Sequence, residues 1–584
     1  MVDLAAVAPE VLLDALKDKT LVTHNGAFDL GVLRSRHGYV HEGKVLDTQL
    51  LYTLHHYAAG KDRSKASNGV WRLPDPRDTR VDLYSTGKKD VGMTALAHVA
   101  HEHLGVLMDK ESQKSDWSAP RLSAKQVRYA LTDTSVLLEL GDVLIDKLCN
   151  IGMSEIVDLE SRAFTATVDM SLNGFPADKS VALKMAERYK AESEAALKEV
   201  EDLLPPGPSS DGRPWNLNVA PHVREVLRIL GANLDKKTYP KTEKTGEPST
   251  TADALRTIKM PEPARRLVEA YLRYKALEKH HRDFARQYAG LIREDGTIKG
   301  SFDTVSTGRL SCRKPNLQQV PSRGEYQREE DMRIRSIFRP REDDKFIVAD
   351  FSQVELLIAG TVAARETGKR GHMLEVFQRG EIDIHTATAA SLAGKPPEEV
   401  TKAERTLAKA VNFALIYGAQ APALREYARN NYGVEMTQIA AEAYREAFFE
   451  RYPELEAWHK LVEAECRRGV EISSTPMGRV RKLPKWMSSG EVAHTTAKNS
   501  PVQGAGADAI KLTMARLFED RKNCPGNPRL NASVHDEVVL SVEAEHAEEA
   551  AEWVRAHMAA AEREAVGDPE SPVVVDVEVR ESWA

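Results

Sequence analysis

Short apolar runs alternate with helical periodicity over the first 150 residues. The runs at 20–23 and 45–51 are of strand length, and the segments between them carry helical spacing. That alternation predicts an α/β domain over residues 1–150. From 155 to 295 the pattern is mostly helical, interrupted by PPGPSSDGRPW and by KKTYPKTEKTGEPSTT, both rich in turn formers. These two stretches are expected to be loops. Residues 265–293 hold eight Lys or Arg against three acids, a balance that suits a solvated helix face as well as a contact with nucleic acid.

The texture changes after residue 300. KFIVAD is a β-like apolar run ending in Asp350, and RLNASVHDEVVLSVE reads as a hairpin with His535, Asp536 and Glu537 at its bend. Between them, RTLAKAVNFALIYG repeats a residue type every fourth position: Arg405, Lys409, Phe413 and Tyr417. On an α-helix these share one slowly drifting face about 18 Å long. Two cations followed by two aromatics match the layout of a nucleotide, with phosphates at one end and a base at the other. An amphipathic helix with its aromatics in the core accounts for the same stripe.

Composition narrows the class without naming a function. The chain has 584 residues, 42% hydrophobic and 29% charged, so it is globular and too long for one core; about three to five domains are expected. The net charge of -7 does not by itself point to nucleic acid. Cys149, Cys312, Cys466 and Cys524 are far apart and form no CxxC pair, which argues against a zinc ribbon or a disulfide framework. The opening residues are acidic where a signal peptide is basic, and no stretch is apolar for long enough to span a bilayer. A soluble, cytoplasmic protein with no membrane partner is expected.

Asp350 and Asp536 stand at a strand end and at a hairpin tip. Either alone is the usual place for a turn residue. If their strands are neighbours in one sheet, the two carboxylates meet. Transfer of a phosphoryl group to a hydroxyl uses such a pair to hold two Mg²⁺ ions about 3.5–4 Å apart.

DFSQVE, the Arg-Lys-Phe-Tyr-Gly helix and VHDE resemble motifs A, B and C of the family A DNA polymerases. STGRLSCRKPNLQQVP, DIHTATA, TPMGRVRKLP and NSPVQGAGADAIK lie around them in that family's order. The resemblance covers residues 160–584 and has a Klenow-like shape, common also among phage polymerases. It implies a multi-domain α/β and α+β chain: a ribonuclease H-like 3′-5′ exonuclease-type domain, incomplete, followed by a right-hand polymerase. The thumb would span 155–300, the palm 301–365 and 488–584, and the fingers 366–487. It implies further that Asp350 and Asp536 hold the Mg²⁺ ions and that Glu537 supports them; as the neighbour of Asp536 on a strand, Glu537 is expected to face the other way. Arg405 and Lys409 would bind the triphosphate, Lys409 giving a proton to the leaving pyrophosphate. Phe413 would pack on the incoming nucleotide, and a Phe there goes with poor use of dideoxynucleotides. Tyr417 would sit at the templating position, with Gln353 and His385 beside the nucleotide. Arg309, Gln503, Asn499 and His535 would touch primer, template or the new pair, whose minor-groove acceptors are common to all correct pairs. Primer-template DNA and deoxynucleoside triphosphates (dNTPs) are the implied partners, with other replication proteins as further ones, and the chain is expected to be a monomer.

Glu355 has two readings. The resemblance makes it the residue that excludes a ribose 2′-hydroxyl. The spacing Ser352-x-x-Glu355 also makes a capping box. Two positions depart from the family pattern, Leu357 and Thr495 standing where Arg is common; details of template or nucleotide contact rest on them.

The front resembles the family's proofreading exonuclease. THNGAFDL matches its second motif with Asn25 and Asp29, and SDWSAP followed by YALTD matches the third with Tyr129 and Asp133. The first motif, a D-x-E on the opening strand, has no counterpart before His24. The chain is therefore read as truncated at its start or as carrying a remnant with little or no proofreading, and no segment reads as a 5′-nuclease domain. Two other classes share part of this pattern. A single-subunit RNA polymerase is opposed by Glu355, Phe413 and the exonuclease-like front. A non-catalytic DNA-binding relative is opposed by the retention of Asp350, Arg405, Lys409 and Asp536.

Overall fold

The computed structural model describes residues 9–60, 71–72, 90–91, 94–108, 112, 115–117, 121–235, 239–242, 245–322, 329, 332–380, 382–486 and 490–584. Positions 118–120 of SDWSAP and 236–238 and 243–244 of the Lys/Thr-rich stretch lie outside them. The chain divides into two compact units: 1–174 with 299–318 and 343–579, and 175–298 with 319–342 and 580–584.

The first unit begins with an α/β module. Strand Leu21–Thr23 runs parallel to Val45–Asp47, with helix Gly26–His37 between them in sequence. Asp47 closes the second strand and caps the next helix, Thr48–Ala58, by accepting the Leu50 amide at 2.9 Å. Its other oxygen accepts from the Thr23 hydroxyl at 2.9 Å and the Gly26 amide at 2.7 Å. This one buried carboxylate therefore ties both strands to both helices, and it satisfies helix N-terminal amides that would otherwise lack partners. Helix Ala124–Cys149 follows, opened by a capping box of Ser123 and Gln126. Helix α1 (Ser154–Asn173) also belongs to this unit.

The larger core of the first unit is built on a four-stranded sheet. Its strands are β1 (Asp344–Phe351), β2 (Arg529–Val534), β3 (Glu537–Glu543) and β4 (Val575–Arg580), in the spatial order β2-β3-β1-β4. β2, β3 and β1 pair antiparallel. Phe346, Ile347, Val348, Ala349, Val538, Val539 and Leu540 are all buried, so β1 and β3 are covered on both faces. That explains why they read as continuous apolar runs rather than as alternating ones. Helix α2 (Val354–Thr367) follows β1. Further along the unit lie helices α3 (Ile384–Ala393), α4 (Lys402–Leu415), α5 (His494–Glu519) and α6 (Ala547–Val566), with other helices between them. No helix of the described residues is long and apolar enough to cross a membrane.

The second unit is mainly helical. Helices Lys179–Leu203 and Glu262–Lys279 pack on one another, and the latter continues through a π-helical turn, His280–Ala285. An aromatic core closes it: Phe175 stacks on Phe338 at 4.4 Å between centroids, Trp583 lies edge-on to Phe338, and the Arg335 guanidinium sits 3.9 Å above Trp583. Four of the eight cations of the basic segment are paired internally. Arg265 binds Glu262 and Glu269, Arg273 binds Glu199, Lys275 binds Glu278, and Arg282 binds Glu278 and Asp283.

Candidate active site

The β3–β1 register decides where the acids go. Asp350 pairs with Glu537, Ala349 with Val538 and Val348 with Val539. β2 and β3 are joined by a two-residue turn, His535 and Asp536, because Val534 pairs with Glu537. His535 takes the left-handed conformation that so tight a turn needs, at φ 58°. Asp536 is thereby held next to β1, and the Phe351 amide donates to its carbonyl at 3.2 Å. The two strands are neighbours, and the two aspartates come to one edge of the sheet.

The sequence-based placement of Glu537 needs correction. Asp536 lies in the turn rather than on a strand, so the alternation argument does not apply to it. Residues directly opposite on paired strands project from the same face. Glu537 therefore shares Asp350's face.

A second cluster forms where α2 begins. Arg309 donates to Glu355 Oε1 at 2.6 Å, and its guanidinium lies 3.7 Å from Asp536. Tyr417 donates to Glu355 Oε2 at 2.6 Å. Both Glu355 oxygens are thus occupied, one by Arg309 and one by Tyr417. The capping box is not formed: Gln353, not Ser352, is the N-cap of α2, at φ 54° and without a side-chain cap. With Gln353 as the cap, Glu355 becomes the second helical residue rather than the third, so the Ser352-x-x-Glu355 spacing no longer fits a box. Gln353 Oε1 is buried there with no hydrogen-bond partner.

Burial pushes the Asp536 carboxyl above its usual range; Arg309 opposes this and Glu355 adds to it. Burial, and then the Glu355 charge, also hold the Tyr417 phenol above its usual range. Tyr417 therefore stays protonated and acts as the donor.

α4 carries the cationic and aromatic stripe, and the burial pattern separates its two readings. Ala408, Ala410, Val411, Asn412, Ala414 and Leu415 are buried, whereas Lys409 and Phe413 are half-buried and Arg405 is exposed. The fully buried positions of α4 lie elsewhere on the helix, so Arg405 faces outward with Lys409 half-buried beside it, while the half-buried Phe413 also packs against the core. Tyr417 is not on the helix: α4 ends at Leu415, and Tyr417 lies in a turn closed by Gly418 at φ 78°, whose amide donates to Leu415. A Cβ at Gly418 would stand 2.7 Å from the Lys498 ammonium, so close approach as well as conformation requires glycine there.

α3 steadies the stripe through residues the sequence reading passed over. Asp383 caps α3 through the His385 and Thr386 amides and also binds Arg405 at 3.0 Å. Burial works to raise its carboxyl, but Thr386 and Arg405 more than offset this and hold it below the usual range. Asn412, buried, meets His385 Nδ1 at 3.0 Å, and the His385 ring lies 5.7 Å from Phe413. Burial pushes His385 down to about 4, so the ring is neutral at pH 7 and its Nδ1 accepts from the Asn412 amide. The signal for Asp383 was present as an N-cap before the apolar start of α3; for Asn412 there was none, because a buried Asn on an amphipathic helix looks like an interruption.

Asn499 and Gln503 lie four residues apart on α5, half-buried where their neighbours Lys498, Ser500, Val502 and Gly504 are buried. They therefore share a face of the helix. Leu357 is fully buried and does not line the cleft; Thr495 is half-buried at the start of α5.

In the front module Asp29 reaches solvent, yet local burial and then the Asp47 charge push its carboxyl up. Asn25 stands before the Gly26–His37 helix at φ 63° with no side-chain cap. Tyr129 and Asp133 are half-buried on one helix, with the Tyr129 ring 5.9 Å from Trp117. Among the described residues the one compact group of three ligand-type side chains is Glu543, Glu545 and His546, which includes neither Asp29 and Asp133 nor Asp350 and Asp536.

Comparison with known proteins agrees with this layout. The profile of DNA polymerase family A matches residues 184–584, and a 3′-5′ exonuclease profile matches 2–149. The chain is 32% identical over 534 residues to DNA polymerase I of Aquifex aeolicus, covering 87% of this chain and 83% of that one. It is 33% identical over 380 residues to the thermostable DNA polymerase I of Thermus aquaticus, covering 64% of this chain and 42% of the relative. The fold is shared with the POL domain of Pol1 from M. smegmatis, solved in complex with DNA primer-template and dNTP: the TM-score is 0.74 at 22% identity, over 100% of this chain and 90% of that one. With Asp350 and Glu537 on paired strands, Asp536 in the adjoining turn and a profile match over more than half its length, the chain belongs to DNA polymerase family A.

Proposed function

We propose that this chain is a template-directed DNA polymerase that adds dNTPs to a primer 3′-hydroxyl. The observation that carries the reading is the strand register that gathers Asp350, Asp536 and Glu537 at one sheet edge, with Glu355 tied to the same cluster. Four carboxylates and one guanidinium leave this cluster with a net excess of hard-oxygen, negatively charged side chains; the Asp536 carboxyl is raised chiefly by burial, with Arg309 opposing and Glu355 adding to it. Such a set suits Mg²⁺. Asp350 and Asp536 would hold two ions, which when bound supply charge neutralisation for the reacting oxygens.

The remaining work falls to the chain's own side chains. Arg405 and Lys409 take the triphosphate, and Lys409 donates the proton that the leaving pyrophosphate needs. Phe413 packs on the incoming nucleotide, with Gln353 and His385 beside it. Tyr417 marks the templating position, and Glu355, locked between Arg309 and Tyr417, blocks a ribose 2′-hydroxyl. Arg309, Gln503, Asn499 and His535 follow the primer, the template and the new pair. We take the thumb as 155–300, the palm as 301–365 and 488–584 and the fingers as 366–487, although the compact units divide differently: 155–174 group with the first unit and 319–342 with the second. The unpaired part of the basic segment follows duplex phosphates, so DNA binding weakens as salt rises. The chain acts as a monomer in the cytoplasm.

Asn25, Asp29, Tyr129 and Asp133 are the candidate residues of the front module, and we read the proofreading of this chain as weak or lost. Primer extension with each dNTP withheld in turn tests the main reading: products must stop one position before the template base that calls for the missing nucleotide. Continued synthesis past that base, or no synthesis from a matched primer, refutes it. Metal-dependent removal of a mispaired 3′ end that is abolished by Asp133→Ala overturns the reading of the front module.

A further inference from the structure

Four charged side chains are buried together beside the polymerase cleft. Glu160 on α1 is 2% exposed, Arg479 5%, and Asp508 and Lys511 on α5 are 0% and 1%. Lys511 donates to both Glu160 oxygens at 2.7 and 2.8 Å. Arg479 bridges the two acids, at 2.7 Å from Glu160 and 2.7 Å from Asp508. The Thr475 hydroxyl completes the set, donating to Asp508 at 2.8 Å while accepting the Arg479 amide at 3.1 Å. The quartet is neutral in sum. As a source of stability it has no advantage over an apolar cluster of the same volume, because four desolvated charges cost what their pairing returns. It differs from an apolar cluster in fixing direction.

The two cations support both feet of one turn. Strands Ser301–Thr304 and Leu310–Arg313 form a hairpin whose loop is 305–309. At its first foot, Lys511 donates to the Thr304 hydroxyl at 3.0 Å. At its second, Gly308 lies on the Arg479 guanidinium so closely that a Cβ would stand 2.7 Å from Nε. Gly308 has φ 88°, and the loop is closed by hydrogen bonds from Gly308 to Val305 and from Val305 to Arg309. The next residue is Arg309, which holds Glu355 and approaches Asp536. Lys511, Arg309 and Asp536 also line one small cavity, with Gln318, Ser533 and His535.

We propose that Arg479 and Lys511 are positioning residues for the polymerase site: they fix the hairpin turn at Thr304 and Gly308 and so aim Arg309 at Glu355 and Asp536. This rests on the polymerase reading above. Arg479 touches neither Glu355 nor Asp536; its effect passes through the backbone of the turn.

The test is a double-mutant cycle between Arg479 and Arg309, read as the maximal rate of single-nucleotide extension on a saturating primer-template. Arg479→Lys keeps the charge but loses the fork, and is expected to slow extension about tenfold, the size of a sub-ångström misplacement of a binding group. On an Arg309→Ala background the same change is expected to slow extension by less than about twofold, because the group it positions is already gone. Thr304→Val leaves all four charges in place and serves where Arg479→Lys folds poorly. It is expected to cost about threefold alone and nothing on the Arg309→Ala background. Effects that multiply in either cycle overturn the proposal, as does an unchanged rate in both single variants. Extension by the unsubstituted chain is measured in the same assay, so a failure of the polymerase reading is seen separately from a failure of the positioning role.

Discussion

Asp350 and Glu537 stand directly opposite one another on paired antiparallel strands, while Asp536 occupies the turn just before Glu537. Glu537 is therefore a neighbour of the Asp350 carboxylate across the sheet. Glu537→Gln is expected to slow extension about tenfold to a hundredfold, as loss of a group supporting a metal ligand does. Single-turnover rates at saturating dNTP measure this. A rate within about twofold of the unsubstituted chain places Glu537 outside the reaction.

Glu355 separates its two readings by experiment as well as by geometry. Its oxygens bind Arg309 and Tyr417, and no capping box forms at α2. Glu355→Ala is expected to raise ribonucleotide incorporation relative to dNTP at least about tenfold, with a thermal midpoint lowered by less than about 4 °C. Unchanged sugar discrimination with a large loss of stability is the opposite outcome.

Asp383 pairs with Arg405, the outermost cation of the stripe, and a triphosphate must compete with it for that guanidinium. Asp383→Asn keeps a good helix cap and removes the competing charge. The KM for dNTP is expected to fall about two- to fivefold, the value of an exposed ion pair, with kcat unchanged. A rise in KM shows instead that Asp383 orients Arg405 for binding.

Glu562 on α6 is fully buried; one oxygen accepts from Ser571 at 3.0 Å and the other has no hydrogen-bond partner. Burial pushes its carboxyl up to about 7 from an ordinary 4.5. The folded state thus holds this proton more tightly than the unfolded one, so stability falls as pH rises from about 4.5 to about 7. Glu562→Gln is expected to leave stability unchanged at pH 4 and to raise it at pH 8 by on the order of 3 kcal/mol. Denaturant unfolding at the two pH values reads the difference; an equal effect at both removes the titration.

Much of the site was legible because its strands and helices carry local signals. KFIVAD is continuous in apolar residues because β1 is covered on both faces, and the β2–β3 hairpin announced itself by two apolar runs around His535 and Asp536. The register was not legible: pairing of Asp350 with Glu537 depends on how two distant segments align, and no local pattern encodes that. Nor was the end of α4, where the repeat from Arg405 to Tyr417 continued past the last helical residue. The Ser352 spacing misled because a residue at positive φ, Gln353, moved the start of α2 by one position. The buried quartet was invisible for a similar reason, since Glu160 meets Lys511 from 351 residues away.

The most direct test of the polymerase site is extension of a matched primer by the chain with Asp350→Ala and, separately, Asp536→Ala. Each variant is expected to melt as the unsubstituted chain does and to extend the primer at less than about a thousandth of its rate. Extension at an undiminished rate by either folded variant contradicts the assignment of Asp350 and Asp536 as the centre of the reaction.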